Sequence, residues 1–250
     1  MTKLDESWQR LDALKSDALS RPILSLFDAG AERAADFSAS FDGMLLDYAK
    51  TAIDTQVRDA LLELATTAQI AERRAAMFSG AAINETEGRA VLHTALRAPD
   101  DAVIKVDGAD VMPAIRATRA RMREFAVALR EGRITGQGGP ITDVVNIGIG
   151  GSDLGPAMAV LALAPYHDGP RCHFVSNVDG AHVADTLKGL DAGRTLVIVA
   201  SKTFTTIETM TNAATARDWM AQSVSDPGAQ FVALSSAAAK AGEFGIAQSR

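Results

Sequence analysis

The segment Ser201–Thr206 (SKTFTT) carries residue types that hold an anion, because it contains four hydroxyl side chains and one lysine. Hydroxyls donate hydrogen bonds to phosphate oxygens, and Lys202 supplies a point charge. An apolar run, TLVIVA, precedes the segment and a helical pattern follows it. In open α/β sheets ligands bind at the carboxyl ends of the strands. The segment therefore predicts a phosphate-binding loop between a strand and a helix.

A second candidate loop lies within Val144–Pro156 (VVNIGIGGSDLGP), where an apolar run leads into Gly148, Gly150 and Gly151. Glycine allows the backbone to approach a ligand closely. The free N–H groups and the dipole at the start of the following helix favour an anion there. Ser152 and Asp153 follow the glycines and are also common N-cap residues.

The two loops are also compatible with other interpretations. A dinucleotide fingerprint needs G-x-G-x-x-G, but Asp153 stands where the third glycine would be, and Asp168, in a predicted loop, is not the strand-end acid that the fingerprint requires. NAD binding is therefore disfavoured. Each loop alone is also compatible with an ordinary tight turn and a capped helix. Two such loops on parallel strands of one sheet favour a shared anion site.

The pattern around the loops predicts βαβ units, because short apolar runs alternate with helical stretches from about residue 140 onward. Runs that are almost wholly apolar are typical of strands covered on both faces. The predicted strands are Asp143–Ile149, Cys172–Ser176, Thr195–Ala200 and Gln230–Ser235, and the predicted helices are Leu154–Ala164, His182–Gly189 and Thr206–Gln222. The fold class is thus α/β with a parallel sheet.

The first half of the chain differs in composition from the second and is predicted to be mostly helical. Apolar residues three or four positions apart predict a helix over 111–129, and Gly132 stands where its C-cap would be. The glycine-rich stretch Gly132–Pro140 separates the predicted helical region from the predicted α/β region. We therefore predict a helical N-terminal region, 1–135, and an α/β domain, 136–250.

Composition limits the classes of partner and compartment. The formal net charge is −6 and the sequence pI is about 5.2, which disfavours a nucleic-acid partner. The single cysteine, Cys172, fits a reducing compartment. The N-terminal residues lack the apolar core of a signal peptide, and the stretch Ala157–Ala164 is too short to span a bilayer. We therefore expect a cytoplasmic protein with no membrane partner.

Longer segments of the sequence resemble the signature segments of the glucose-6-phosphate isomerase family, in order and along nearly the whole chain. They are AINETEGRAVLHTALR (82–97), DGADVMP (107–113), NIGIGGSDLGP (146–156), FVSNVDG (174–180), ASKTFTTIETMTNA (200–213) and FVALSS (231–236).

The resemblance implies a fold and a site. The fold would be a three-layer αβα sugar-isomerase (SIS-type) domain preceded by the helical region, and the chain would end before a second SIS-type domain. Gly151 and Ser152 would face the sugar. Independently of the resemblance, Glu208 lies in the first turn of the predicted helix after the second loop, where it would interact favourably with the helix N-terminus, and a supporting role next to the phosphate site is the alternative. The substrate phosphate would be held by Ser201, Lys202, Thr203, Thr205 and Thr206.

The reaction implied is the interconversion of glucose 6-phosphate and fructose 6-phosphate through a cis-enediol, with no cofactor and no metal, in a homodimer. In the family the catalytic residues follow the position where this chain ends at Arg250, so we expect none of them here. The four local histidines are more typical of structural or exposed positions than of catalysis: they are His93, His167, His173 and His182. A non-catalytic sugar-phosphate-binding module and a fragment that is unstable alone remain alternatives.

Overall fold

The computed structural model describes residues 2–247. The chain divides into two compact units, one ending at Ala117 and the other beginning at Thr118. The division falls inside a long helix, whereas the predicted domain boundary follows the change in composition after residue 135. That boundary stays a prediction, and its outer limits, residues 1 and 250, lie outside the described residues. No helix among residues 2–247 is both long enough and apolar enough to cross a membrane.

The N-terminal unit is mainly helical, as predicted, but it also contains two antiparallel β-hairpins that the sequence interpretation lacked. Asp42-Gly43 and Asp107-Gly108 form the hairpin turns with positive φ at both residues, which is the conformation that Asp-Gly favours. The elements are α1 (Lys3–Ser20), α2 (Ile23–Asp28), α3 (Arg33–Asp36), β1 (Ser38–Phe41), β2 (Met44–Asp47), α4 (Thr55–Thr67), α5 (Ile70–Phe78), β3 (Lys105–Val106) and β4 (Ala109–Asp110).

The C-terminal unit begins within α6 (Met112–Arg130), the helix that the sequence predicted over 111–129. Gly132 has φ +70°, as a helix C-cap glycine should. The predicted strands and helices of this unit all form, and no end differs by more than two residues from the prediction. They are β5 (Thr135–Gly136), β6 (Gly139–Pro140), β7 (Asp143–Ile147), α7 (Leu154–Ala162), β8 (Arg171–Val175), α8 (Gly180–Leu187), β9 (Thr195–Ala200), α9 (Ile207–Ala221), β10 (Phe231–Leu234) and α10 (Ala238–Glu243); the hairpin β5–β6 and the short α10 were not predicted.

Four parallel strands form the sheet of the C-terminal unit, in the order β10-β9-β7-β8. Successive residues of a strand point to opposite faces. Val197 and Val199 of β9 therefore pack with α8 and α9 on one face, while Leu196 packs with Phe125 of α6 on the other. This arrangement confirms a mixed α/β fold with a parallel sheet between helical layers.

Candidate functional site

The strand order brings the two predicted loops to the same place. The chain passes from β7 to β8 in one direction and then returns across β7 to form β9, so the winding reverses between β7 and β9. These two strands are hydrogen-bonded neighbours with Ile147 opposite Val199. In open α/β sheets the crevice at such a reversal is where ligands bind. Ser152 and Thr203, which follow these strand ends, therefore both lie at the carboxyl end of the sheet.

The first loop packs directly on the end of the neighbouring strand. A Cβ added to Gly148 would lie 2.8 Å from the Ser152 Cβ and 3.0 Å from the Ala200 carbonyl oxygen, closer than side-chain atoms can approach. Glycine is therefore required for the contact between the loops. Gly150 has φ +62°, and the buried Asn146 amide donates to the Ser152 carbonyl oxygen over 3.0 Å. These contacts fix the turn that carries Gly151 and Ser152.

The second loop gathers its hydroxyls by hydrogen bonds among themselves. The hydroxyls of Thr203 and Thr205 lie 2.7 Å apart, and those of Ser201 and Thr206 lie 3.3 Å apart. Phe204 between them has φ +55°, which is rare for a bulky residue and costs roughly 1–3 kcal/mol. Burial of its ring, which is 4 % exposed, holds this conformation. Strain of this kind is concentrated at functional sites.

Neither helix that follows a loop is capped by its own side chain, although simple capping was the alternative explanation for both loops. Asp153 at the N-cap of α7 and Thr206 at the N-cap of α9 make no side-chain capping hydrogen bond. The hydroxyl of Thr206 instead contacts Ser201. This geometry favours a binding role for the loops over an ordinary capped start.

The remaining predicted site residues lie in the same two loops or, for Glu208, at the start of the following helix. Lys202 and Gly151 are exposed, and Glu208 is half-buried in the first turn of α9. Nothing in the structure tests the role assigned to each of these residues, so these assignments stay predictions.

Comparison with known proteins shows the family. The model of the phosphoglucose isomerase family matches residues 47–250, more than half of the chain. The chain belongs to the phosphoglucose isomerase family. It is 66% identical over 239 residues to the glucose-6-phosphate isomerase of Ruegeria pomeroyi, covering 96% of this chain and 44% of that protein. It is 65% identical over 247 residues to that of Cereibacter sphaeroides, covering 99% and 46%.

A solved member of the phosphoglucose isomerase family also has the same fold. The crystal structure of a glucose-6-phosphate isomerase from Chlamydia trachomatis matches with a TM-score of 0.75 at 29% identity, over 94% of this chain and 45% of that one. This chain therefore spans about half the length of the relatives that it matches.

A cluster of titratable side chains lies in this chain at the amino end of the sheet, opposite the two loops. Asp143 begins β7, is 1 % exposed and accepts hydrogen bonds from Arg171 and from His173, whose Nε2 lies 2.8 Å away. Burial acts to raise the pKa of Asp143, but the hydrogen bonds from Arg171, His173 and Thr142 outweigh it and lower the pKa. The length of β7 separates this cluster from the two loops.

Sequence reasoning missed three residues that support the loops. Asn146 lies within the quoted NIGIGGSDLGP segment, but its contact with the following turn depends on how the loop folds back. Ser235 and Ser236 follow β10, and both hydroxyls donate to the Lys202 carbonyl oxygen, over 3.1 and 2.8 Å. The FVALSS segment contains both serines and resembles a family signature, but only the pairing of β10 with β9 shows that the serines lie beside Lys202.

Proposed function

We propose that this chain supplies the sugar-phosphate clamp of a glucose-6-phosphate isomerase. One observation carries the proposal: the two loops, with their hydroxyls and helix-start amides, follow the neighbouring strands β7 and β9 at the point where the winding of the sheet reverses. A dianionic phosphate suits such a set of donors, because helix N-termini and hydroxyls bind oxyanions without a large net charge. In the proposal, Ser201, Thr203, Thr205, Thr206 and Ser152 supply hydroxyls.

The clamp would act by positioning. Isomerisation of glucose 6-phosphate to fructose 6-phosphate moves a proton between C2 and C1 through a cis-enediol, so one base must reach both carbons. Holding the phosphate at C6 fixes the far end of the open-chain sugar and raises the effective concentration of its reacting carbons at that base. We assign this anchoring role, together with the charge of Lys202, to the described loops and assign proton transfer to no residue of this chain.

Titration of ¹⁵N-labelled chain with glucose 6-phosphate tests the clamp. We expect the amide resonances of Gly151, Ser152 and Thr203 to shift with one common Kd, and glucose without the phosphate to cause no such shift. Thr203→Ala should weaken binding roughly 10- to 150-fold, since it removes a hydrogen bond to a charged group. Thr215→Ala is the matched control, because its hydroxyl bonds to the Thr211 carbonyl within α9. Shifts confined to one loop would contradict the shared site.

The second candidate is a sugar-phosphate-binding module that performs no catalysis. The observation that favours it is that both loops are complete within the described residues, whereas no residue here is assigned the proton transfer. Binding of glucose 6-phosphate with no turnover, in this chain and after addition of the C-terminal part of a relative, would support the module. Turnover after that addition would support the isomerase.

The assembly and location of the protein are also proposals. The family resemblance suggests a homodimer, and α7 presents exposed apolar side chains that a partner could cover, with Leu154 69 % and Leu161 75 % exposed. Sedimentation velocity at several concentrations tests this association. The cytoplasmic location is supported by the composition, and a fluorescent fusion imaged in a bacterial host tests it.

A further inference from the structure

The carbonyl group of Lys202 has an unusual number of donors for a residue in an exposed loop. The hydroxyls of Ser235 and Ser236 and the amide of Ser236 all donate to its oxygen, over 3.1, 2.8 and 3.1 Å. A carbonyl oxygen has two lone pairs, so three donors saturate it. The loop after β10 therefore holds this one peptide group firmly.

The serine loop is itself ordered for this contact. The Ser235 hydroxyl donates its single proton to the Lys202 carbonyl oxygen and accepts a hydrogen bond from the amide of Ala237 over 3.0 Å. The amide of Ser201, one residue before Lys202, donates to the Leu234 carbonyl over 3.1 Å, which extends the pairing of β9 with β10. The loop after β9 and the loop after β10 are thus joined by consecutive hydrogen bonds.

The direction of the held carbonyl fixes the direction of the next amide. The peptide between Lys202 and Thr203 is trans, so the N–H of Thr203 points opposite to the C=O of Lys202. β9 lies between β10 and β7 in the sheet. A carbonyl turned towards the serines after β10 therefore turns the Thr203 amide towards the side of β7, where Gly151 and Ser152 lie.

The Thr203 amide donates no hydrogen bond to another of residues 2–247. An inverted peptide would instead present the Lys202 carbonyl oxygen to the site and repel an anion. We propose that Ser235 and Ser236 are positioning residues, which hold the Lys202–Thr203 peptide in the orientation that presents the Thr203 amide to a phosphate. This inference rests on the proposed clamp and adds the residues that set its geometry.

The double variant Ser235→Ala with Ser236→Ala, in the ¹⁵N,¹³C-labelled chain titrated with glucose 6-phosphate, tests the proposal. We expect the Kd to rise roughly 5- to 50-fold, because without the two neutral hydrogen bonds the free chain holds the peptide in its binding orientation for a smaller fraction of the time. We also expect the ligand-free resonances of the Lys202 carbonyl carbon and the Thr203 amide to move. Ser236→Thr keeps a hydroxyl and should retain the Kd within about twofold, whereas Ser236→Ala alone should raise it roughly 3- to 10-fold.

Ser225→Ala is the matched control, because its hydroxyl bonds to the Gln137 side chain over 3.0 Å at another place in the same unit. If the double variant does not fold, Ser236→Ala compared with Ser236→Thr decides the question. A double variant that is less stable but binds with an unchanged Kd would overturn the inference and leave the clamp intact. An unsubstituted chain that shows no saturable shift would overturn the proposed function and this inference together.

Discussion

Arg33 shows how a single buried cation organises the N-terminal unit. It is 4 % exposed, and its guanidinium donates to the carbonyl oxygens of Ala49, Thr51 and Ile53 over 2.8–2.9 Å. It also lies 4.2 Å from the ring centroid of Phe37. We expect Arg33→Lys to lower the free energy of unfolding by about 2–4 kcal/mol, because an ammonium group cannot reproduce the planar fork. Urea denaturation followed by circular dichroism measures this.

Arg10→Lys is the matched control, since Arg10 is half exposed and forms an ion pair with the exposed Glu63. Exposed pairs contribute little, so the free energy of unfolding should change by less than about 0.5 kcal/mol. Equal effects of the two substitutions would show that the carbonyl contacts of Arg33 do not stabilise the unit.

Asp143 makes the stability of the C-terminal unit depend on pH. Its pKa in the folded chain is lowered, so its contribution is complete above the unfolded-state value near 3.9 and is lost as the pH falls through the lower folded pKa. Asp143→Asn should lower the free energy of unfolding at pH 7 by about 1–3 kcal/mol. The variant should also lose less stability than the unsubstituted chain between pH 5 and pH 3. Urea denaturation across this range measures both effects.

Asp168→Asn provides the comparison, because Asp168 also pairs with an arginine, Arg130, but is exposed. The hydrogen bond from Arg130 lowers the pKa of Asp168 as well, yet solvent screens this pair. We expect its pH profile of stability to match that of the unsubstituted chain. If both variants show the same weaker dependence of the free energy of unfolding on pH, burial of Asp143 is not the cause of that dependence.

At the scale of elements, the turn after β7 is possible only because Gly148 has no side chain. Its added Cβ would lie 2.8–3.0 Å from Ser152 and from the Ala200 carbonyl. We expect Gly148→Ala to lower the free energy of unfolding by roughly 1–3 kcal/mol through overpacking, and to weaken binding of glucose 6-phosphate. Thermal denaturation and the amide titration measure the two effects.

Gly155→Ala in α7 is the control for that substitution. Apart from its chain neighbours and the backbone of its own helix, no atom of residues 2–247 lies within 4 Å of its added Cβ, and alanine favours a helix over glycine by roughly 0.5–1 kcal/mol. The chain should become slightly more stable and bind unchanged. A Gly148→Ala chain that behaves in the same way would refute the close contact between the loops.

The strands of the main sheet and the helices from α6 to α9 were predictable from the sequence, because buried parallel strands and amphipathic helices leave local patterns. The run TLVIVA gave β9 with its observed limits, Thr195–Ala200. The supports of the loops were not predictable, because they join residues that are distant in sequence: Ser236 contacts Lys202 only since β10 lies beside β9. The left-handed Phe204 likewise depends on burial of its ring and not on its residue type.

At the scale of the molecule, the proposed clamp would anchor the substrate, and the proton transfer would take place elsewhere. The two loops of the proposal follow β7 and β9 within a chain that spans about half the length of its relatives. The resemblance to the glucose-6-phosphate isomerase family implies that the residues for proton transfer lie in the part of those relatives that this chain does not match. An anchor alone lowers no barrier unless a base is held near the reacting carbons.

We therefore expect this chain alone to produce no glucose 6-phosphate from fructose 6-phosphate in an assay coupled to glucose-6-phosphate dehydrogenase. The isomerase of Ruegeria pomeroyi is the positive control, and the same sample must bind glucose 6-phosphate in the amide titration, so that inactivity does not reflect a failure to bind. Adding the C-terminal part of that isomerase should restore turnover, since it would supply the base. Robust turnover by this chain alone would place a catalytic base among its own residues, and the half-buried Glu208 beside the clamp would be the first to substitute.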